Sequence, residues 1–185
     1  MNALKMLALF ITTVSVCTLV YGDELAIDKP LITLEGAGLD GKAISSKKLL
    51  EKGPLVVVVM RGFPGYDCPA CSAQLADFVK QAEAFKTAGA QVLIVYPGSV
   101  QDLEAKAKGF VSKQQLTESF SLVIDKDMKM VKQLGLFWDA PKETAYPTTL
   151  VADRQGKIRF LNTSKSHGGR TKATEVVSVL EKLKA

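Results

Sequence analysis

The sequence predicts an α/β fold with a central mixed β-sheet that is covered by helices on both faces. Two continuous apolar runs rich in β-branched residues, Leu55–Met60 and Gln91–Tyr96, are typical of strands buried on both faces. A predicted helix follows each run, and this alternation is the pattern of a layered α/β sheet. The 185 residues are 47% apolar and 23% charged, which excludes a disordered chain and suits one domain over residues 23–185.

Residues 1–22 are predicted to be a secretory signal peptide. Lys5 precedes an uncharged apolar run over residues 6–20, and the small residue Gly22 marks the expected cleavage site. We therefore expect a secreted or periplasmic mature protein, with an uncleaved membrane anchor as the alternative. Cleavage removes Cys17 and leaves Cys68 and Cys71 as the thiols of the mature chain. This count excludes a disulfide scaffold, and the single histidine excludes metal sites built from several imidazoles.

Glycine and capping residues place the remaining elements along the chain. We expect strands at Leu31–Leu34, Leu55–Met60, Gln91–Tyr96, Leu122–Ile124, Thr148–Ala152 and Lys157–Leu161. We expect helices from Ser45 to Gly53, from Cys68 to Ala88, after a Ser99 cap, from Asp125 to Gly135, and from Thr171 or Thr174 onward.

Two turns complete the expected topology. The residues Asp153–Gly156 form a turn that makes the last two strands an antiparallel hairpin. The pattern Gly-x-Gly-x-x-Gly at residues 36–41 is interpreted as a hairpin turn, because a dinucleotide site needs a helix to begin inside it. The resulting order is that of the thioredoxin fold, with an inserted strand and helix of about 25 residues before the final hairpin.

The segment RGFPGYDCPAC, which ends at Cys71, is the motif that carries chemistry. Pro69 suits the first position of a helix, which makes Cys68 the N-cap residue and exposes its sulfur to free N–H groups that favour the thiolate. Cys71 lies one turn deeper, within reach of a disulfide. Asp67 acts in the opposite direction, because a carboxylate next to the sulfur raises the pKa of a thiol. A structural disulfide, half of a zinc site and two unreactive buried thiols are the alternatives to a redox pair.

From about Leu31 to Leu183 the chain resembles the AhpC/TSA (redoxin) family of the thioredoxin superfamily. The segments that carry the resemblance are LDGKAISSKKLLEKGPLVVVVMRG, PGYDCPAC, SFSLVIDKDMKMVKQLG and YPTTLVADRQGKIRF. The resemblance implies a thiol-dependent oxidoreductase that needs no cofactor beyond a redox-active Cys68–Cys71 disulfide.

The resemblance implies two different sets of roles for the cysteines and the residues around them. In the peroxiredoxin motif Pro-x-x-x-Thr-x-x-Cys, Pro64 matches the proline, Cys71 falls at the peroxidatic cysteine and Cys68 takes the threonine position. The peroxiredoxin arginine that holds peroxide would fall near Pro147 and is absent there, so Arg61 is the expected substitute.

These departures are features of the thioredoxin-like members of the superfamily. There the first cysteine of the pair is the nucleophile and a cis-proline faces the disulfide, which Pro147 after Tyr146 resembles. Spacing alone predicts an ordinary strand start at Pro147. Pro64, Arg61, Tyr146 and Pro147 are therefore the expected substrate-binding residues.

Three functions follow from these features. The first is extracytoplasmic thiol–disulfide exchange in redox homeostasis, in which Cys68 attacks a disulfide and Cys71 resolves the mixed disulfide. The second is an antioxidant thiol peroxidase in which Cys71 reacts with peroxide and Cys68 resolves it. The third is a non-catalytic binding module with a stable disulfide.

The expected partners are protein or small-molecule thiols and disulfides, and peroxide in the second case. We expect no metal, no membrane span after signal cleavage and no nucleic acid, because the net charge of +5 is spread without a dense Lys/Arg run. His167 is interpreted as a solvated loop residue and Trp138 as a cap over the core or the site rim. The redox direction and the oligomeric state stay open.

Overall fold

The structure, a computed structural model, describes residues 25–184. The predicted signal peptide and Cys17 lie outside these residues. The seven strands are β1 (Glu35–Gly38), β2 (Ala43–Ser45), β3 (Leu55–Val59), β4 (Gln91–Gly98), β5 (Phe120–Lys126), β6 (Thr148–Ala152) and β7 (Ile158–Thr163). The six helices are α1 (Ser46–Leu50), α2 (Pro69–Lys80), α3 (Ala82–Thr87), α4 (Leu103–Val111), α5 (Lys129–Gln133) and α6 (Ala173–Lys182).

The strands form one mixed sheet in the order β2-β1-β5-β4-β3-β6-β7. The three central strands β5, β4 and β3 are parallel, and the pairs β1–β2, β1–β5, β3–β6 and β6–β7 are antiparallel. Every residue of β3 is buried, as the continuous apolar run predicts. The predicted α/β fold with a mixed sheet between helices is confirmed.

Each face of the sheet carries its own hydrophobic core. Val56 and Val58 point to the face covered by α2, α3, α4 and α6, where Phe78 and Phe85 stack at 5.6 Å between ring centroids. Val57 and Val59 point to the other face, which α1 and α5 cover. Burying such side chains stabilises the fold by about 1.5–3 kcal/mol each. This packing fixes the first turn of α2 beyond the carboxyl end of β3, the edge at which open α/β sheets place their binding sites.

The N-terminal part of the sheet differs from its prediction. Residues 31–34 are not a strand, and the first strand is β1, which pairs with β2 through a turn at Gly41. Leu34 is only 1% exposed, but its N–H donates to Ser46 Oγ at 2.9 Å instead of to a neighbouring strand. Leu34 is therefore buried without pairing to a strand. The interpretation of residues 36–41 as a hairpin turn is confirmed.

Three helix boundaries differ from or refine the prediction. The helix predicted from Cys68 to Ala88 breaks at Gln81, whose φ of −98° and ψ of 15° separate α2 from α3. Asp102, not Ser99, precedes α4. Asp125 caps α5 as predicted, although it lies three residues before the N-cap position, because its carboxylate accepts the N–H groups of Met130 and Val131.

Within residues 25–184, no helix combines the length and the apolar character that crossing a bilayer requires.

Candidate active site

The first turn of α2 holds both cysteines. Pro69 is the first helical residue and Cys68 is the N-cap, with an extended backbone (φ −87°, ψ 106°). The sulfur of Cys68 accepts a hydrogen bond from the Cys71 N–H at 3.3 Å, which satisfies one of the free donors of the helix start. The predicted N-cap position of Cys68 is therefore confirmed.

The two sulfur atoms lie 2.6 Å apart, and both cysteines are free. The Cys71 thiol donates to Cys68 Sγ, and this bond is the main reason why the pKa of Cys68 lies well below the ordinary thiol value of 9.0. Burial opposes this shift, while the Cys71 N–H, Arg170 and Arg61 support it. The same bond and burial hold the pKa of Cys71 above 9.0. The N-cap position of Cys68 and the opposite directions of the two pKa shifts favour Cys68 as the thiolate of the pair.

The loop before α2 is fixed against the end of β4. Gly62 has a φ of +61°, and a Cβ atom there would lie 2.0 Å from the Pro97 carbonyl oxygen. The next N–H, that of Phe63, donates to the same oxygen at 2.9 Å. Only glycine fits this close approach. The contact sets the path of the exposed loop that leads through half-buried Pro64 to Cys68.

Arg61 lies beside Cys68, but its donors serve mainly a buried ion pair. Its guanidinium is 2% exposed and forms two bonds with the Glu143 carboxylate, one of them 3.1 Å long. It also donates to the Tyr66 hydroxyl at 2.5 Å and to the Lys142 carbonyl at 2.8 Å. Arg61 therefore ties the cysteine loop to the segment before β6, and its predicted role toward peroxide stays a prediction.

Sequence reasoning missed Arg170, the guanidinium that contacts both sulfurs. Its Nη2 atom lies 3.8 Å from Cys68 Sγ and 3.6 Å from Cys71 Sγ. Gln74 Oε1 accepts from Nη1 at 2.9 Å, and the His167 carbonyl accepts from Nε at 3.1 Å. Arg170 follows Cys68 by 102 residues in a loop between β7 and α6. The only local signal was the pair of glycines before it, which predicts a loop and no partner.

Tyr146 and Pro147 lie at the start of β6. Every peptide bond of residues 25–184 is trans, so the cis bond that the resemblance implies for Pro147 is wrong. The preceding N–H of Tyr146 donates to the Leu136 carbonyl, and the Pro147 carbonyl accepts from Ser164, each at 2.8 Å. Pro147 is thus the ordinary strand start that spacing predicts. The binding roles of Pro64, Tyr146 and Pro147 stay predictions.

An aromatic group flanks this segment. Trp138 stacks on Tyr146 at 4.8 Å between ring centroids and contacts the His167 ring at 5.5 Å. His167 is 54% exposed, as expected of a loop histidine, and its Nε2 lies 2.9 Å from a Glu143 carboxylate oxygen. Across residues 25–184, no cluster of three or more His, Cys, Asp and Glu side chains is arranged to hold a metal ion.

Comparison with known proteins identifies the family. The profile of the AhpC/TSA family matches residues 27–161, well over half of the chain. The chloroplastic peroxiredoxin Q of Oryza sativa subsp. japonica is 33% identical over 122 residues, 66% of this chain and 52% of that protein. That of Suaeda salsa is 33% identical over 132 residues, 71% of this chain and 56% of that protein. The chain thus spans about half the length of these relatives.

Solved structures share the fold. AhpC from Mycobacterium bovis superposes with a TM-score of 0.68 at 21% identity, covering 88% of this chain and 94% of that one. Peroxidoxin BcpB from Mycobacterium tuberculosis superposes with a TM-score of 0.64 at 18% identity, covering 85% and 96%. The thioredoxin-like fold is confirmed by these neighbours. The family profile over residues 27–161 shows that the chain belongs to the AhpC/TSA family.

Proposed function

We propose that this protein is a thiol peroxidase of the peroxiredoxin type in which Cys68 reduces the peroxide and Cys71 resolves the product. The observation that carries the proposal is the Cys68 sulfur at the N-cap of α2, where it accepts the Cys71 N–H, in a chain of the AhpC/TSA family. The similarity to the peroxiredoxin Q proteins supports peroxide as the substrate over a protein disulfide.

The site suits a two-step reaction. The Cys68 thiolate attacks the terminal oxygen of the peroxide, so that an S–O bond forms, the O–O bond breaks and the alcohol or water leaves after taking a proton. Cys68 is then a sulfenic acid. The sulfur of Cys71 attacks it, an S–S bond forms, and the oxygen leaves as water. A dithiol reductant then returns the disulfide to two thiols.

The division of roles is opposite to the one that the peroxiredoxin motif predicts. In the motif's register Cys71 is the peroxidatic cysteine. Cys71, however, is fully buried, and its pKa lies above 9.0. Cys68 is 5% exposed with a lowered pKa, and a low thiol pKa is what a peroxide-reducing sulfur needs at neutral pH. These differences favour Cys68 as the sulfur that meets peroxide.

A second candidate is thiol–disulfide exchange with Cys68 as the attacking sulfur. The adjacent sulfurs and the single turn between them favour it, since the same nucleophile and resolving thiol serve both reactions. The composition of residues 1–22 supports an extracytoplasmic location for either activity. A binding module with a stable disulfide is the third outcome.

Turnover of peroxide by cysteine variants tests the proposal. With dithiothreitol as reductant, the wild-type protein is expected to consume hydrogen peroxide. Cys68→Ser should abolish consumption, and Cys71→Ser should slow it because the sulfenic acid must react with external thiol. Activity that survives Cys68→Ser but not Cys71→Ser assigns the roles of the motif instead. No consumption of peroxide, together with reduction of insulin, would contradict the peroxidase proposal in favour of disulfide exchange.

A further inference from the structure

We infer that residues 136–138 fill, from within the chain, the backbone position at which a peptide would bind beside the thiols, so that Cys68 acts on small molecules and not on extended peptides. The inference rests on the proposed role of Cys68 as the attacking sulfur, and it narrows the substrates to hydroperoxides and low-molecular-weight disulfides. Proteins commonly hold an extended peptide by adding it as a strand to an exposed backbone edge, whose N–H and C=O groups supply the affinity. Peptide binding here therefore depends on which backbone groups beside the cysteine loop are free.

The chain before β6 runs alongside the cysteine loop. Val59 at the end of β3 pairs with Thr148 at the start of β6, so the residues that follow one strand lie beside those that precede the other. The hydroxyl of buried Thr144 donates to the Arg61 carbonyl, where the cysteine loop leaves β3. A peptide that paired with residues 144–146 would therefore lie next to the cysteine loop.

That edge is already paired within the chain, through an isolated antiparallel bridge at Phe137. The Tyr146 N–H donates to the Leu136 carbonyl at 2.8 Å, and the Trp138 N–H donates to the Thr144 carbonyl at 3.2 Å. The Tyr146 N–H and the Thr144 carbonyl are the donor and the acceptor that an incoming antiparallel strand would use. The chain thus supplies its own strand at this position.

The neighbouring backbone groups are engaged as well. The Tyr146 carbonyl accepts from Thr148 Oγ1 at 3.0 Å, and the Pro147 carbonyl accepts from the Ser164 N–H at 2.8 Å. Pro147 has no N–H of its own. Both backbone groups of Tyr146 therefore have partners within the chain, which leaves contact with a substrate to the side chains.

Side chains hold residues 136–138 in this position. Leu136 is 5% exposed and belongs to the core on the α1 and α5 face of the sheet. The Trp138 ring stacks on the Tyr146 ring at 4.8 Å, and Lys165 Nζ lies 4.5 Å from the centroid of the same tyrosine ring. A peptide could take the edge only by breaking two hydrogen bonds, this stack and the burial of Leu136. A hydroperoxide has no such requirement, because it needs only to bring one oxygen to the sulfur.

The test measures whether Cys68 recognises a peptide by its backbone. A short peptide with one cysteine is activated as its 2-pyridyl disulfide, and its twin is N-methylated at the residues next to the cysteine. The Cys68 thiolate attacks the cysteine sulfur of the peptide, a new S–S bond forms, the old one breaks and pyridine-2-thione leaves. The full-length Cys71→Ser chain retains the product, and peptide mass locates it on Cys68.

Each rate is divided by the rate of the same substrate with 2-mercaptoethanol, which corrects for the bulk of the methyl groups. The normalised rates of the two peptides and of activated N-acetylcysteine amide should agree within about twofold, whereas the loss of one backbone hydrogen bond would slow a bound peptide by about fivefold. Hydrogen exchange should show that the Tyr146 N–H is protected. No peroxide is used, so a failure here is distinct from a failure of the peroxidase proposal.

A variant that opens the edge supplies the converse result. Trp138→Pro removes the N–H that pairs with Thr144 and the indole that stacks on Tyr146. Added to Cys71→Ser, it should speed the exchange of the Tyr146 N–H and make the N-methylated peptide react about fivefold more slowly than its twin. Asp139→Ala, at an exposed neighbouring residue, is the matched control and should keep the rates equal.

Three results would overturn the inference. The first is a fivefold or greater preference for the unmethylated peptide in the Cys71→Ser chain, or free exchange of its Tyr146 N–H. The second is equal rates in a Trp138→Pro protein whose Tyr146 N–H exchanges freely, because the open edge then binds no peptide. The third is a Cys68 that reacts with none of the substrates, which also removes the role of Cys68 in the proposed function.

Discussion

Replacing Glu143 with alanine is expected to destabilise the protein by about 3–5 kcal/mol, because the buried guanidinium of Arg61 loses its carboxylate partner. Arg61 is 2% exposed and Glu143 10%. The remaining acceptors of Arg61 are the Tyr66 hydroxyl and the Lys142 carbonyl, which carry no charge. The variant therefore leaves the buried guanidinium without its carboxylate partner.

Urea unfolding measures this loss. With a slope of about 2 kcal/mol per molar urea, the unfolding midpoint of Glu143→Ala should fall by about 1.5–2.5 M. Glu143→Gln keeps an oxygen for Arg61 but not the charge, so its midpoint should fall between those of Glu143→Ala and the wild type.

The stabilisation that Glu143 provides is expected to decrease as the pH falls. Burial raises the pKa of Glu143, but hydrogen bonds from Arg61 and His167 outweigh it and hold the pKa below the ordinary value of 4.5. The folded state therefore binds this proton more weakly than the unfolded chain. The stabilisation is complete above pH 4.5 and is lost as the pH falls through the lower folded pKa. The stability difference between the wild type and Glu143→Gln should accordingly shrink in acid.

Glu104→Ala is the matched control. Glu104 pairs with Lys108 on the exposed face of α4, where both side chains are more than half exposed. Losing that pair should cost less than about 1 kcal/mol. If Glu143→Ala lowers the midpoint no more than Glu104→Ala does, the argument from the buried charge of Arg61 is refuted.

Three further predictions concern a helix cap, a loop and the thiol pair. Asp125→Ala should cost about 2–4 kcal/mol in urea unfolding, because two buried N–H groups of α5 lose their acceptors; an unchanged midpoint contradicts this. Gly62→Ala should cost about 3 kcal/mol or more, since its Cβ would meet Pro97 at 2.0 Å, and a wild-type melting temperature would disprove the clash. Cys71→Ala should raise the pKa of Cys68 in iodoacetamide titrations more than Cys71→Ser, whose hydroxyl still donates; equal profiles count against the hydrogen bond.

Much of the fold follows from local sequence. The β-branched run at residues 55–60 predicts a strand buried on both faces, because a continuous apolar run of this kind is typical of such strands. The run at residues 31–34 is also largely apolar, but only Leu34 is buried there, and its N–H bonds to Ser46 of α1 and not to a strand. A hydrophobic pattern predicts which residues are buried. Strand pairing depends instead on which backbone N–H and C=O groups lie opposite each other.

Local sequence predicts only part of the site, as it predicts only part of the fold. Proline after Cys68 predicts the N-cap and hence the thiolate, because both effects arise within one helical turn. The cation at that thiolate comes from a loop 102 residues later, and nothing in its local sequence points to α2. Arg61 lies close to Cys68 in the sequence, but its guanidinium is paired with the Glu143 carboxylate. Such long-range partners are set by the topology of the sheet.

Locating the oxygen after reaction with peroxide tests the central claim most directly. Cys71→Ser protein is treated with one equivalent of hydrogen peroxide, a sulfenic acid probe is added, and the labelled peptide is identified by mass. The account predicts the label on Cys68, with a rate that is already at its plateau at neutral pH because the pKa of Cys68 is low. An unlabelled Cys68 would contradict the account. In the converse Cys68→Ser protein, a label on Cys71 that forms as fast as the label on Cys68 would also contradict it.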